Sequence, residues 1–166
     1  MNVIEWFLAR SENLYITSSY GLRIHPISGE LHFHQGVDIA GEYEGFPTVS
    51  PSAGEVTLAT YSESYGYYLN FQQNGADYYI RIAHLQSLNV TNGMEIEGGF
   101  NMGGMGTSGS STGVHWHIET WVDGSHVDPE TVEMYVSESE PTDPPQKPTL
   151  TPLQIMLNRR FIQRRR

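Results

Sequence analysis

Hydrophobic and polar residues alternate along several short stretches in the middle of the chain, and turn-forming residues separate these stretches. Such alternation is typical of half-buried β-strands. The predicted strands cover residues 54–59, 67–71, 78–82 and 114–122. The connector between the second and third of these strands contains Asn-Gly, and Asp-Gly follows the fourth; both dipeptides are strong turn signals. The sequence therefore predicts a mainly β, turn-rich protein.

A different pattern precedes the β-rich region. Residues 1–16 are predicted as a short lead-in with one helical turn around Trp6. Glu5 interrupts the apolar stretch and Arg10 follows it, which is the wrong polarity for a signal peptide. No apolar run approaches the ~18 residues that a membrane span needs. We therefore expect neither a signal peptide nor a transmembrane segment, and the β domain is predicted over residues 17–136.

The C-terminal part of the chain has its own composition. Residues 137–149 contain four prolines and few apolar side chains, which is typical of an extended linker. Residues 150–166 are predicted as a basic amphipathic tail with a short C-terminal helix. The apolar face of that helix comprises Leu153, Met156, Leu157 and Phe161.

Composition and charge narrow the possible chemistry. The chain has no cysteine, so disulfides, iron–sulfur clusters and a cysteine nucleophile are excluded, and any metal must be held by histidine and carboxylate. Residues 1–140 carry 18 acidic side chains against three arginines, a net charge of −15, whereas residues 141–166 carry +5. The acidic body would repel nucleic acid, so no nucleic-acid partner is expected.

Histidine and aspartate recur at spacings that suit a metal site. His115 and His117 lie two positions apart in a predicted strand, so their side chains share one face. His34 and Asp38 lie four positions apart, and Gly36 between them lets the backbone bend towards one ion. Two imidazoles and one carboxylate leave one position open for water, as a catalytic zinc requires. The simpler alternative is a pair of histidines on a solvated strand face.

One carboxylate and three further histidines lie outside these motifs. Glu119 shares the face of the His-x-His pair, and it either orients a histidine or is a solvated carboxylate. His25 precedes a proline in a turn and is expected to be structural. His32 is a candidate for lining a groove, and His126 is expected to be exposed to solvent.

The order of these motifs resembles the lysostaphin-type zinc metallopeptidases, which hydrolyse peptide bonds in bacterial peptidoglycan. The similar segments, between about residues 17 and 129, are Ser18-Ser-Tyr-Gly-Leu-Arg-Ile-His-Pro-Ile-Ser-Gly29, His34-Gln-Gly-Val-Asp38, Ala83-His84-Leu85, Gly106-Thr-Ser-Gly-Ser-Ser-Thr-Gly-Val-His-Trp-His-Ile-Glu119 and Val127-Asp-Pro129. The resemblance implies an antiparallel β-sheet sandwich or open barrel, of the duplicated hybrid motif type, with a groove that holds zinc.

The resemblance also implies roles for five residues. His34, Asp38 and His117 match the zinc ligands, and His115 and His84 match two catalytic histidines that do not bind the metal. One Zn²⁺ per chain would lower the pKa of bound water towards ~7, and that water would attack a peptide carbonyl. The two histidines would transfer protons or stabilise the transition state, and the division of these roles stays open.

Three positions depart from the pattern of the family. Ile82 stands where tyrosine is common, Val114 where proline is common, and Trp116 where leucine is common. We expect these differences to bear on substrate preference rather than on the chemistry.

Two alternatives compete with a peptidase. The first is a catalytically inactive peptidoglycan-binding or regulatory module of the same fold, although such modules usually lack metal ligands. The second is a cupin-like metal protein, which also offers a glycine followed by His-x-His. A cupin needs a glutamate further along the strand, where this chain has Trp121 and Val122, and Glu119 comes too early.

The expected partners follow from the resemblance and from the charge of the tail. Peptidoglycan peptides are the expected substrate, and the chain is expected to be a monomer that acts at the bacterial cell wall. The tail could hold an anionic wall polymer or a membrane surface, dock on the acidic body, or serve as a solubilising end. A phage lysin, a virion-associated enzyme and a domain of a larger exported system all fit.

Overall fold

The computed structural model of the chain describes residues 1–24 and 29–134. Its elements are α1 (Val3–Leu8), β1 (Tyr15–Ser18), β2 (Gly21–Ile24), β3 (Leu31–His34), β4 (Val37–Ala40), β5 (Pro47–Val49), β6 (Gly54–Ser62), β7 (Gly66–Gln73), β8 (Tyr78–Leu85), β9 (Ser87–Leu88), β10 (Met94–Ile96), β11 (Asn101–Gly104), β12 (Trp116–Val122) and β13 (Ser125–Val127). The predicted linker at 137–149, the basic tail with its short helix at 150–166, and His25 lie outside the described residues.

The strands form one large antiparallel sheet and two small ones. The large sheet has the order β1-β4-β12-β8-β7-β6-β10, and β13 also pairs with β12. The smaller sheets are β5-β11-β9 and the hairpin β2-β3. Strands β1 and β10 leave the large sheet open at its two edges, so the described part of the chain contains no closed barrel. The prediction of a mainly β, antiparallel fold is confirmed.

The predicted strands appear in the sheet with small shifts of their ends. Strands β6, β7 and β8 contain the predicted strands 54–59, 67–71 and 78–82. The connector between β7 and β8 turns at Gly75, where φ is +79°. Such a positive φ explains why glycine follows asparagine there. Strand β12 begins at Trp116, later than predicted, and His115 instead forms an isolated bridge with Gly106.

The core lies behind β12, on the face opposite the His-x-His pair. The Trp116 ring is fully buried, packs 5.4 Å from the ring of Phe7 and 5.7 Å from that of Phe46, and donates a 2.7 Å hydrogen bond to Thr48 Oγ1. Ile82 is also buried. The departures from the family pattern at positions 82 and 116 therefore bear on core packing rather than on substrate contacts.

The N-terminal lead-in is part of this core. Asn2 caps α1: its Oδ1 accepts from the Glu5 amide at 2.8 Å, and its own amide donates to the Glu5 carboxylate at 2.9 Å. The helix buries Val3 and Phe7 completely, and the amide of Val3 donates to the carbonyl of Val132 at 3.0 Å. The beginning and the end of the described chain thus close against each other.

Within residues 1–24 and 29–134, no helix is long and apolar enough to cross a membrane.

Candidate active site

Three side chains from distant parts of the chain converge on one point. His34 ends β3, Asp38 lies in β4, and His117 lies directly opposite Asp38 in the pairing of β4 with β12. His117 Nδ1 lies 2.8 Å from Asp38 Oδ1, and His34 Nε2 lies 3.1 Å from His117 Nδ1 and 3.2 Å from Asp38 Oδ1. Ligand atoms of a tetrahedral zinc are separated by about 3.3 Å, given bond lengths of about 2.0–2.1 Å. The three donors are therefore spaced to hold one metal ion.

The short turn between β3 and β4 makes this convergence possible. A Cβ atom at Gly36 would collide with the Ile118 carbonyl and come 2.9 Å from the ring of His117. Any larger residue would push the turn away from β12 and separate the pair His34 and Asp38 from His117.

Hydrogen bonds on the outer sides of the two imidazoles set their tautomers. His34 Nδ1 lies 2.9 Å from the carbonyl of Ser19, and His117 Nε2 lies 3.1 Å from Glu119 Oε1. Because a carbonyl and a carboxylate only accept, these ring nitrogens carry the protons. His34 Nε2 and His117 Nδ1 then direct lone pairs at the same point. Two lone pairs 3.1 Å apart repel unless a proton or a cation lies between them, so the arrangement fits a bound cation.

The electrostatics of the three donors agree with this arrangement. Burial would raise the pKa of Asp38, but the neighbouring imidazoles of His117 and His34 outweigh that effect and hold the pKa well below the usual range. Burial would lower the pKa of His117, but the carboxylates of Asp38 and Glu119 raise it to about 9. A proton on His117 thus neutralises the site at neutral pH, and a divalent cation would replace that proton.

His84 and His115 lie together beside the three donors. Their ring centroids are 4.8 Å apart, and the ring of His84 lies 5.8 Å from that of His117. His115 Nε2 lies 3.7 Å from Asp38 Oδ1. The structure therefore brings together all five residues for which the sequence predicts a role, and those roles remain predictions.

A bulge aims His84 into the site. In the pairing of β7 with β8, Tyr67 faces Leu85 and Leu69 faces Ile82. One residue of β7 lies between Tyr67 and Leu69, and it opposes the two residues of β8 that lie between Ile82 and Leu85. His84 is one of these two, and its φ is +60°. Positive φ is rare for a residue other than glycine, and bulges often redirect side chains at active sites.

The serine- and glycine-rich loop before β12 holds both of these histidines. His84 Nδ1 donates to the carbonyl of Ser108 at 2.8 Å, and His115 Nδ1 donates to the carbonyl of Gly113 at 2.8 Å. The Ser108 hydroxyl donates to the carbonyl of Leu85 at 2.6 Å and accepts from the amide of Tyr67 at 2.9 Å. The loop therefore joins β7, β8 and β12 where the two histidines meet.

The three donors together with His84 and His115 line an open groove with a volume of about 290 Å³. His32 also lines it, as its sequence position suggests, and so does Arg23, whose guanidinium lies 3.6 Å from Asp38 Oδ2. His126 departs from the expectation of full exposure. It is half-buried, its Nδ1 lies 2.8 Å from the Tyr20 hydroxyl, and its ring packs against Phe33 and Trp121.

Comparison with known proteins agrees with this fold. Residues 32–129, more than half of the chain, match the profile of Peptidase family M23. The chain belongs to peptidase family M23, and its resemblance to the lysostaphin-type enzymes is confirmed.

Several peptidases are similar to this chain in sequence or in structure. The peptidoglycan DD-endopeptidase ShyC of Vibrio cholerae is 32% identical over 117 residues, which cover 70% of this chain and 27% of ShyC. A solved zinc-containing peptidase from Vibrio cholerae superposes with a TM-score of 0.64 at 30% identity, covering 73% of this chain and 37% of that one. The catalytic domain of lysostaphin from Staphylococcus simulans superposes with a TM-score of 0.63 at 25% identity, covering 78% and 96%. The chain spans less than a third of the length of ShyC.

Proposed function

We propose that this chain is a zinc-dependent endopeptidase that hydrolyses peptide bonds in the stem or cross-bridge of bacterial peptidoglycan. The observation that carries the proposal is the convergence of His34, Asp38 and His117 in an open groove, with His84 and His115 beside them. Membership of a peptidase family and similarity to ShyC and lysostaphin support the choice of reaction and substrate. The proposed place of action is the cell wall.

Three residues would hold the metal. His34, Asp38 and His117 offer two imidazole nitrogens and one carboxylate oxygen, a donor set that suits a catalytic zinc with one open position. When bound there, zinc would polarise a substrate carbonyl and lower the pKa of a water molecule in the open position.

His115 and His84 are proposed to move the protons. Each donates its Nδ1 proton to a backbone carbonyl, which leaves Nε2 as the nitrogen that can accept a proton. Burial lowers the pKa of His84 to about 4, so at neutral pH His84 is neutral and its Nε2 is a weaker base than that of an exposed histidine. A proton taken from the attacking water must reach the leaving amine, and the two imidazole rings, 4.8 Å apart, are proposed to carry it there.

Digestion of purified cell walls tests the proposal. Walls with direct cross-links and walls with glycine bridges are incubated with the protein, and the released peptides are weighed by mass spectrometry. We expect soluble fragments from at least one wall type, loss of release after treatment with a chelator, and recovery after zinc is added back. Zinc-loaded protein that releases no fragment from any wall type would contradict the proposal and favour the inactive binding module.

A further inference from the structure

Glu119 is a buried carboxylate that the proposed chemistry does not use. It lies in β12 between His117 and Trp121 on the face that points to the groove, and only 1% of its surface is exposed. Burying a charged carboxylate costs free energy unless hydrogen bonds and charges compensate it. The contacts of Glu119 therefore show how this cost is compensated.

Four donors surround this carboxylate. Oε1 accepts from the Tyr65 hydroxyl at 2.7 Å and from His117 Nε2 at 3.1 Å. Oε2 accepts from Trp121 Nε1 at 2.7 Å and from an Arg81 guanidinium nitrogen at 3.3 Å. We call these four donors and Glu119 the Glu119 network. A carboxylate offers about four lone-pair positions, so the network occupies all of them. Glu119 therefore has no lone pair left to bind a metal ion or to take a proton from water.

The strands and the aromatic rings hold the network in place. Arg81 lies directly opposite Glu119 in the pairing of β8 with β12. Its guanidinium carbon lies 5.1 Å from the centre of the Tyr65 ring and 5.0 Å from that of the Trp121 ring, within the range of cation–π attraction. The donors therefore position one another as well as the carboxylate, and the positive charge of Arg81 compensates the buried negative charge.

The contact with His117 has a consequence for the metal site. The hydrogen bond to Glu119 places the ring proton on Nε2 and leaves the lone pair on Nδ1, which faces His34 and Asp38. A ring turned by 180° would present a carbon to both Glu119 and Asp38. Only one ring orientation therefore places a nitrogen at each carboxylate, and in that orientation only the Nε2–H tautomer leaves Nδ1 free to bind a metal ion.

We propose that Glu119 is a positioning residue that fixes the ring orientation and the tautomer of His117, and that Tyr65, Trp121 and Arg81 hold it in place for this task. The inference rests on the proposed function, because it takes His117 as a ligand. Removal of the partner of a metal-binding histidine typically weakens metal affinity by about 10- to 100-fold.

The test uses Glu119→Gln. This substitution keeps the shape of the side chain, but it replaces one acceptor oxygen with an NH₂ group that faces hydrogen-bond donors. Glu55→Gln is the matched control, because Glu55 is an exposed strand glutamate. Zinc affinity is measured by competition with a chelating dye, in the absence of substrate. In parallel, NMR of the zinc-loaded protein with ¹⁵N-labelled histidine follows the Nε2–H proton of His117.

We expect Glu119→Gln to lower zinc affinity at least about tenfold and to abolish the slowly exchanging Nε2–H signal. Glu119→Asp should restore part of both, and Glu55→Gln should change neither. Wild-type zinc affinity together with an unchanged Nε2–H signal in Glu119→Gln would overturn the inference and leave the proposed function intact. Failure of the wild-type protein to bind zinc would overturn the proposed function itself, and the inference with it.

Tyr65→Phe provides the test if Glu119→Gln does not fold. It keeps the charge of Glu119 and removes one donor from Oε1, so zinc affinity should fall about threefold and the Nε2–H signal should shift. A signal and an affinity that match wild type would contradict the inference.

Discussion

The two sides of the groove are built differently. On the side of the three metal donors, Asp38 and His117 face each other across paired strands, and the turn at Gly36 brings His34 to them. On the other side, His84 sits in a bulge and His115 precedes β12. The side chain of His34 is 5% exposed, whereas that of His115 is 16% exposed.

The anchors differ in the same way. The donor side relies on the register of the large sheet and on the buried carboxylate of Glu119, whereas both histidines of the other side hydrogen-bond to carbonyls of one loop, those of Ser108 and Gly113. The proposed metal binding and the proposed proton transfer therefore depend on separate parts of the fold. Substitutions should be able to remove one property and leave the other.

The largest effect is expected from His117→Ala. It removes one of three donors and leaves the other two without the geometry of a three-ligand site, so zinc and wall-degrading activity should be lost together. Metal analysis of the dialysed protein and a wall-digestion assay measure both. His126→Ala, a control outside the donor set, should keep both. Stoichiometric zinc in His117→Ala would contradict its assignment as a ligand.

His115→Ala and His84→Ala should separate the two sides. Neither residue is among the three converging donors, so each variant should bind zinc at wild-type stoichiometry. Loss of a proton-transfer group should lower kcat by about 10²- to 10⁴-fold. Wild-type turnover in both variants would remove the proposed role of this side of the groove.

Zinc affinity should depend on pH through His117. Because the pKa of His117 is raised to about 9 in the metal-free protein, zinc must displace a proton, and the apparent zinc affinity should rise up to about tenfold per pH unit between pH 7 and 9.

The same proton on His117 stabilises the metal-free fold. Its contribution to the free energy of unfolding is fully present below the unfolded pKa of about 6.5 and is lost as pH rises through about 9. Competition titrations and thermal melts at several pH values measure the two trends. Flat profiles over this range would contradict the account of the metal-free site.

The smallest effect is expected from Gly109→Ala in the loop that carries the anchors. Gly109 has a φ of +72°, and a Cβ atom there would collide with the backbone of Gly66. The variant should lose about 1–3 kcal/mol of stability and part of its turnover, with zinc affinity retained. Gly113→Ala is the control, because a Cβ atom at Gly113 meets open space. Denaturant unfolding checks the difference, and equal stability of the two variants would show that the loop tolerates a shift at Gly109.

Local patterns in the sequence were sufficient to predict the main strands and to single out the donor motifs. Alternation marked the segments that became β6, β7, β8 and β12, and the i, i+2 spacing placed His117 and Glu119 on one face. These features depend on neighbours within a few residues, which a sequence displays directly.

The remainder depends on pairings between distant residues. The bond of Arg81 to Glu119 exists because β8 lies beside β12 in one particular register, and local periodicity carries no information about that register. The bulge at His84 likewise depends on the register between β7 and β8. The half-burial of His126 likewise arises from contacts with Tyr20 and Phe33, which are distant in the sequence.

The most direct test of the central claim is a crystal structure of the zinc-loaded protein with anomalous diffraction at the zinc edge. The account predicts one zinc per chain, bound by His34 Nε2, Asp38 Oδ1 and His117 Nδ1 at about 2.0–2.2 Å. Zinc bound by another set of residues, or an empty site in protein that degrades cell walls, would contradict it.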